Sequence, residues 1–114
     1  MVGRIAAVLV VAQFGVFENP NAKARKSTPL IVVLQNEAST GPSTVIVAPL
    51  AKKSDVPAND RIVVPVEIDG QPFVVLFQSL AAISKRLLTK PVANLDDQLL
   101  DKLPRAIDYL FLGM

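Results

Sequence analysis

The run Ile62-Val-Val-Pro-Val-Glu-Ile68, the dipeptide Asp69-Gly70 and the run Gln71-Pro-Phe-Val-Val-Leu-Phe77 constrain this chain more than any other stretch. Asp-Gly between two β-branched runs specifies a two-residue hairpin, because a type I′ turn needs φ > 0 at both central residues. Pro65 brings no N–H to the ladder, so the first arm belongs at a sheet edge, at a bulge, or with that nitrogen facing outward. Sixteen valines against five glycines extend the β reading to the rest of the chain.

Two further runs read as strands, Pro29-Leu-Ile-Val-Val-Leu-Gln35 and Thr44-Val-Ile-Val-Ala-Pro-Leu50. A strand with one wet face alternates apolar and polar residues; these do not, which predicts burial on both faces or a dimer interface. Gln13-Phe-Gly-Val-Phe17 is strand-like as well. Polar, turn-rich loops separate the runs: Glu18 to Thr28, Ala38 to Ser43, and Ala51 to Asp60. Gln78 to Leu88 is ambiguous, with Leu80, Ala81, Ala82 and Ile83 predicted as a short helical turn before a strand near Arg86 to Val92.

The C-terminal segment has a different period. Leu99, Leu103, Ile107, Leu110 and Met114 form one apolar stripe at helical spacing. Asn94 is the predicted N-cap, and Asp96 and Asp97 fall in the first turn, where the helix dipole favours negative charge. Pro104 removes one backbone bond, so a kink or a restart is expected there. Several strands and one terminal helix predict a mainly β fold: a bent antiparallel sheet or small barrel closed by a C-terminal α-helix.

At the other end, Arg4 precedes eight apolar residues, Ile5 to Ala12. The stretch is short for a signal-peptide core, runs on into strand-like sequence, and cannot span a bilayer. It reads as a lengthened first strand or as residues upstream of the natural start, and a cytoplasmic protein is expected.

Composition limits the chemistry. The chain has no His, no Cys and no Trp. Without Cys there is no disulfide, thiolate nucleophile or zinc–thiolate site; without His there is no Ser-His-Asp triad and no imidazole ligand. No Walker A, G-x-G-x-x-G or metal-binding pattern is present. Asp96, Asp97 and Asp101 resemble a Mg²⁺ cluster, although helix N-terminal charge and a solvated face explain them better. Catalytic, cofactor and metal sites are all expected to be absent.

The net charge is only +2, little for a nucleic-acid binder. Basic residues group at Lys23, Arg25 and Lys26, at Lys52 and Lys53, and at Lys85, Arg86 and Lys90. The first group is the one candidate for phosphate contact or electrostatic transition-state stabilisation. The end of the chain, Tyr109-Leu-Phe-Leu-Gly-Met114, is unusual in the other direction, since termini are normally polar. Residues 110 and 112 lie roughly 200° apart on a helix, so one of them should face solvent.

In order along the chain, Gln13-Phe-Gly-Val-Phe17, Val45-Ile-Val-Ala-Pro-Leu-Ala51, Val64-Pro-Val-Glu-Ile-Asp-Gly70, Leu80-Ala-Ala-Ile83, Val92-Ala-Asn-Leu95 and Ala106-Ile-Asp-Tyr-Leu-Phe-Leu-Gly-Met114 resemble the CcdB family of plasmid-addiction toxins. The resemblance covers Gln13 to Met114 and leaves residues 1–12 as an extension or a lengthened first strand of a single toxin domain, 1–114. It implies a dimeric SH3-like barrel with a C-terminal helix, neutralised by a CcdA-type antitoxin and reaching operator DNA only through the antitoxin complex. It also implies a non-enzymatic poison that traps the DNA gyrase cleavage complex, binding the A subunit through the helix end. The family's terminal Trp-Gly-Ile aligns with Leu112, Gly113 and Met114, and Leu112 lacks the π-face with which that Trp stacks on an arginine. Two alternatives stay open: a MazF-type endoribonuclease on the same barrel, with Arg25 and Lys26 as first candidates, and a CcdB-like protein without toxicity.

Overall fold

The computed structural model describes residues 11–41, 43–57 and 63–113. They form strands β1 (Gly15–Glu18), β2 (Leu30–Val33), β3 (Thr44–Lys52), β4 (Val63–Ile68), β5 (Gln71–Leu76), β6 (Ala81–Ser84) and β7 (Pro91–Asn94), then helices α1 (Asp96–Leu99) and α2 (Leu103–Leu112). All pairings are antiparallel, in the order β4-β5-β3-β2-β1-β7, with β6 beside β3. The expectation for Ile5 to Val10 lies outside the described residues, as do Pro42, Asn59 and the first residue of the expected hairpin arm, Ile62.

The hairpin forms as the sequence specifies. Ile68 pairs with Gln71, and Asp69 and Gly70 have φ of 52° and 77°, the two positive values of a type I′ turn. β4 is an edge strand, which is where Pro65 is tolerated. Pro72 sits where β5 has run beyond β3, whose last paired residue is Lys52 opposite Phe73.

β3 curls the sheet. One side pairs with β2 from Val47 to Leu50. The other side pairs with β6 over Thr44–Val47 and with β5 over Leu50–Lys52. The chain steps from one partner to the next through a 3-10 turn at Phe77–Ser79, pinned by the fully buried Phe77. The result is a half-barrel of antiparallel strands with one C-terminal helical arm.

Both faces of the central strands are buried, so their continuous apolar runs are explained within the chain. Val16, Val32, Ala48, Leu50 and Val75 point to the helix side with Phe14, Phe77, Leu95 and Leu99. Phe17, Ile31, Val33, Val45 and Val47 point the other way, onto Val11 and Leu88. A large apolar side chain contributes about 1.5–3 kcal/mol on such burial. Phe14 adopts φ 66°, strained for a bulky residue. Its N–H donates to the Val33 carbonyl, its own carbonyl accepts from Leu95 N–H at 2.9 Å, and its ring is buried.

Two local expectations are corrected, and the restart expected at Pro104 is found. Ala81 to Ile83 is strand, and the helical turn lies earlier, at Phe77–Ser79; Ala81 and Ala82 extend because β3 offers them a free edge at Val47 and Ile46. The C-terminal stripe belongs to two helices with Leu100, Asp101 and Lys102 between them, so the restart comes one residue before Pro104. There its missing N–H costs nothing, because the first helical turn leaves that donor unpaired. Asn94 remains the last residue of β7, opposite Gly15. The cap position passes to Leu95, while Asn94 Oδ1 accepts from Asp96 N–H at 2.8 Å.

Candidate functional site

The stripe decides how α2 meets the sheet. Leu99 is fully buried, and Leu103 and Ala106 pack against the main core. No residue of α2 is itself buried. Towards its end the helix is more exposed, and Phe111 and Leu112 are 68% and 64% exposed. Leu110 is half-buried, so Leu112 is the one of the pair that faces solvent.

Gly113 closes the helix in the left-handed region, at φ 75° and ψ 19°, with its N–H donating to the Tyr109 carbonyl at 3.0 Å. A side chain there would meet no atom within 4 Å. Conformation alone therefore calls for glycine. Met114, the third predicted tip residue, lies outside the described residues. Phe111 is not among the predicted site residues. At i+4 from Ile107 it continues the apolar stripe, and the wheel places it toward the sheet. It stands exposed because the sheet offers only a shallow apolar groove of about 210 Å³, lined by Leu34, Ile46, Leu80, Ile107 and Phe111.

The basic loop is ordered from within. Asn19 is buried; its Nδ2 donates to the Thr28 carbonyl at 2.8 Å and its Oδ1 accepts from Asn21 N–H at 2.9 Å. Arg25 Nε donates to the Asn19 carbonyl at 2.7 Å, and the guanidinium stands 3.8 Å from Glu18. Arg25 thus braces the loop, while Lys23 and Lys26 are exposed. A groove of about 420 Å³ brings Arg25 and Lys90 together with Glu18, Leu87 and Val92. Lys85 is held apart, donating to Thr40 Oγ1 at 3.0 Å. Among the described residues, Glu18 is the carboxylate that lines this groove.

Among the described residues, no group of three or more acidic side chains is close enough to hold a metal, and Asp96 and Asp97 lie in the first turn of α1. Nor is any helix among them long and apolar enough to cross a membrane.

The described residues thus form a curled antiparallel half-barrel with an exposed apolar end on its C-terminal helix. The family model described as CcdB protein matches residues 13–113. The chain belongs to the CcdB family, whose members are gyrase-poisoning toxins of toxin–antitoxin systems. A comparison with curated proteins gives no match.

Proposed function

We propose that this chain is the toxin of a type II toxin–antitoxin system. It acts by trapping the DNA gyrase cleavage complex through the helix tip Leu112, Gly113 and Met114. The observation that carries the reading is the exposure of Leu112 beside a left-handed Gly113, in a chain of this family. Large apolar groups at a helix end are costly to leave in water and gain about 1.5–3 kcal/mol each when a partner covers them. A central apolar anchor in a desolvated pocket is also how most binding energy is concentrated.

In this mechanism the chain makes and breaks no bonds. Gyrase cleaves its DNA, and the inserted tip holds the cleaved state by binding it better than the resealed one. Leu112 contributes burial rather than stacking on a cation, and Gly113 turns the chain at the helix end. The working unit in this reading is a cytoplasmic homodimer of single-domain chains, with residues 1–12 as an extension. A CcdA-type antitoxin silences it and brings it to operator DNA.

The deciding experiment is purified gyrase with supercoiled DNA. Accumulation of protein-linked double-strand breaks supports the reading. Intact DNA, with RNA cleaved in a parallel tube, overturns it in favour of an endoribonuclease.

A further inference from the structure

We propose that Gln98 is a positioning residue for the helix tip, holding the C-terminal arm at one angle to the sheet; the proposal rests on the tip being the working surface. In a two-residue hairpin the closing pair, Ile68 and Gln71, is hydrogen-bonded. Val66 and Val64 then bond inward to β5, while Glu67, Pro65 and Val63 aim their main-chain groups off the edge of the sheet. Glu67 N–H donates to Gln98 Oε1 at 2.7 Å, and Gln98 Nε2 donates to the Glu67 carbonyl at 2.8 Å. One side-chain amide thereby stands in for a neighbouring strand.

The arm has few other directional ties. Leu95 and Leu99 are buried in the core, but apolar burial is non-directional and fixes depth better than angle. Leu95 N–H bonds to the Phe14 carbonyl, at the pivot itself. Among the described residues, no side-chain hydrogen bond or ion pair joins α2 to the sheet, and none of its side chains is buried. α2 rests on the core through the half-buried Leu103 and Ala106, near its start, so the direction of its far half depends on how α1 is held across Leu100, Asp101 and Lys102. A ten-residue helix is roughly 15 Å long, so a tilt of about 10° at α1 carries Leu112 by roughly 2.5 Å. Binding groups need placement to within about 0.5 Å. The amide clamp sits where a small rotation matters most.

The chain has no cysteine, which makes the test direct. Nitroxide labels are placed at Leu112→Cys and Lys53→Cys, and labelled protein is diluted into unlabelled protein so that pulsed EPR reads one chain at a time. With Gln98 present the distance distribution is expected to be narrow. Gln98→Met keeps the length and helix propensity but removes both polar partners; it should broaden or shift the distribution by roughly 2.5 Å, the displacement that a 10° tilt produces. Gln98→Glu keeps only the acceptor and should fall between; if the Met variant does not fold, it decides alone. A folded variant whose distribution is unchanged overturns the proposal, since a clamp that only adds stability moves the unfolding midpoint and not the distance.

Gyrase cleavage assays on the same proteins, without labels, separate the two ideas. If wild-type protein traps cleaved DNA, Gln98→Met should lower trapping about tenfold, and equal trapping overturns the proposal. If wild-type protein traps nothing while the distances respond, the gyrase reading fails and the positioning role stands.

Discussion

α1 and α2 carry the same apolar stripe and are held very differently. α1 has four residues, too few to be stable as an isolated helix, yet Leu99 is fully buried and Gln98 grips the edge of β4. α2 has ten residues and buries none of them. The short helix is an anchor and the long one an arm. Helix length and apolar periodicity measure the capacity to bury a face; anchorage depends on whether a sheet lies beneath it. In the proposed function α2 is the element that engages a partner, and such elements come from the less stably held end of a structure.

The sharpest way to break this comparison is a pair of truncations. Leu99→Ala should cost about 2–5 kcal/mol by opening a cavity in a closed core. Ile107→Ala on the arm should cost about 1 kcal/mol, the ordinary size for a site that is not closed in. Both are read from urea unfolding, and equal costs would mean that α2 is as firmly seated as α1. Deleting Gly113 and Met114 should relieve growth arrest on expression while shifting stability by less than about 0.5 kcal/mol. A truncated protein that stays folded and fully toxic would remove the tip from the mechanism.

Two glycines in the left-handed region offer a finer contrast. Gly70→Ala and Gly113→Ala each force a Cβ into that conformation at about 1 kcal/mol. For Gly70 the cost should appear in global unfolding, because the hairpin belongs to the sheet. For Gly113 it should appear only as faster amide exchange at the end of α2. Smallest of all, Asn94→Ala should lose about 0.5–1 kcal/mol through the bond to Asp96 N–H, with exchange at Asp96 as its local readout.

Much of the fold was legible in short segments. Asp69-Gly70 dictates its turn because only certain residues tolerate two positive φ values. Pro65 predicts an edge because it brings no donor. Pro104 predicts an interruption for the same reason, and the angle between positions 110 and 112 separates Leu110 from Leu112. Ala81 to Ile83 misleads because small apolar residues fit helix or strand about equally; the open side of β3 chose strand. The stripe itself runs from Leu99 to Leu103 unbroken in register, so Pro104 alone signals the break.

The candidate site divides in the same way. Leu112 and Gly113 were accessible from sequence, through periodicity and through resemblance to a family with an apolar-Gly-apolar end. Phe111 was not, since its exposure depends on the shallowness of the groove it shares with Leu34, Ile46 and Leu80. Arg25 stands out as a candidate for chemistry because its charge is visible in the sequence, whereas its bond to the Asn19 carbonyl is not.

The sequence by itself determined the elements whose causes are local: a hairpin with a defined turn, apolar runs that must be covered on both faces, a helix restart, and an end of chain that carries Leu, Gly and Met. It also excluded every chemistry that needs His or Cys. Only the tertiary structure decided which apolar groups find cover, that β3 serves three partners and so curls the sheet, and that Gln98 reaches the main chain of Glu67, thirty-one residues earlier. Those outcomes depend on distances between segments remote in the chain, which neither periodicity nor composition encodes.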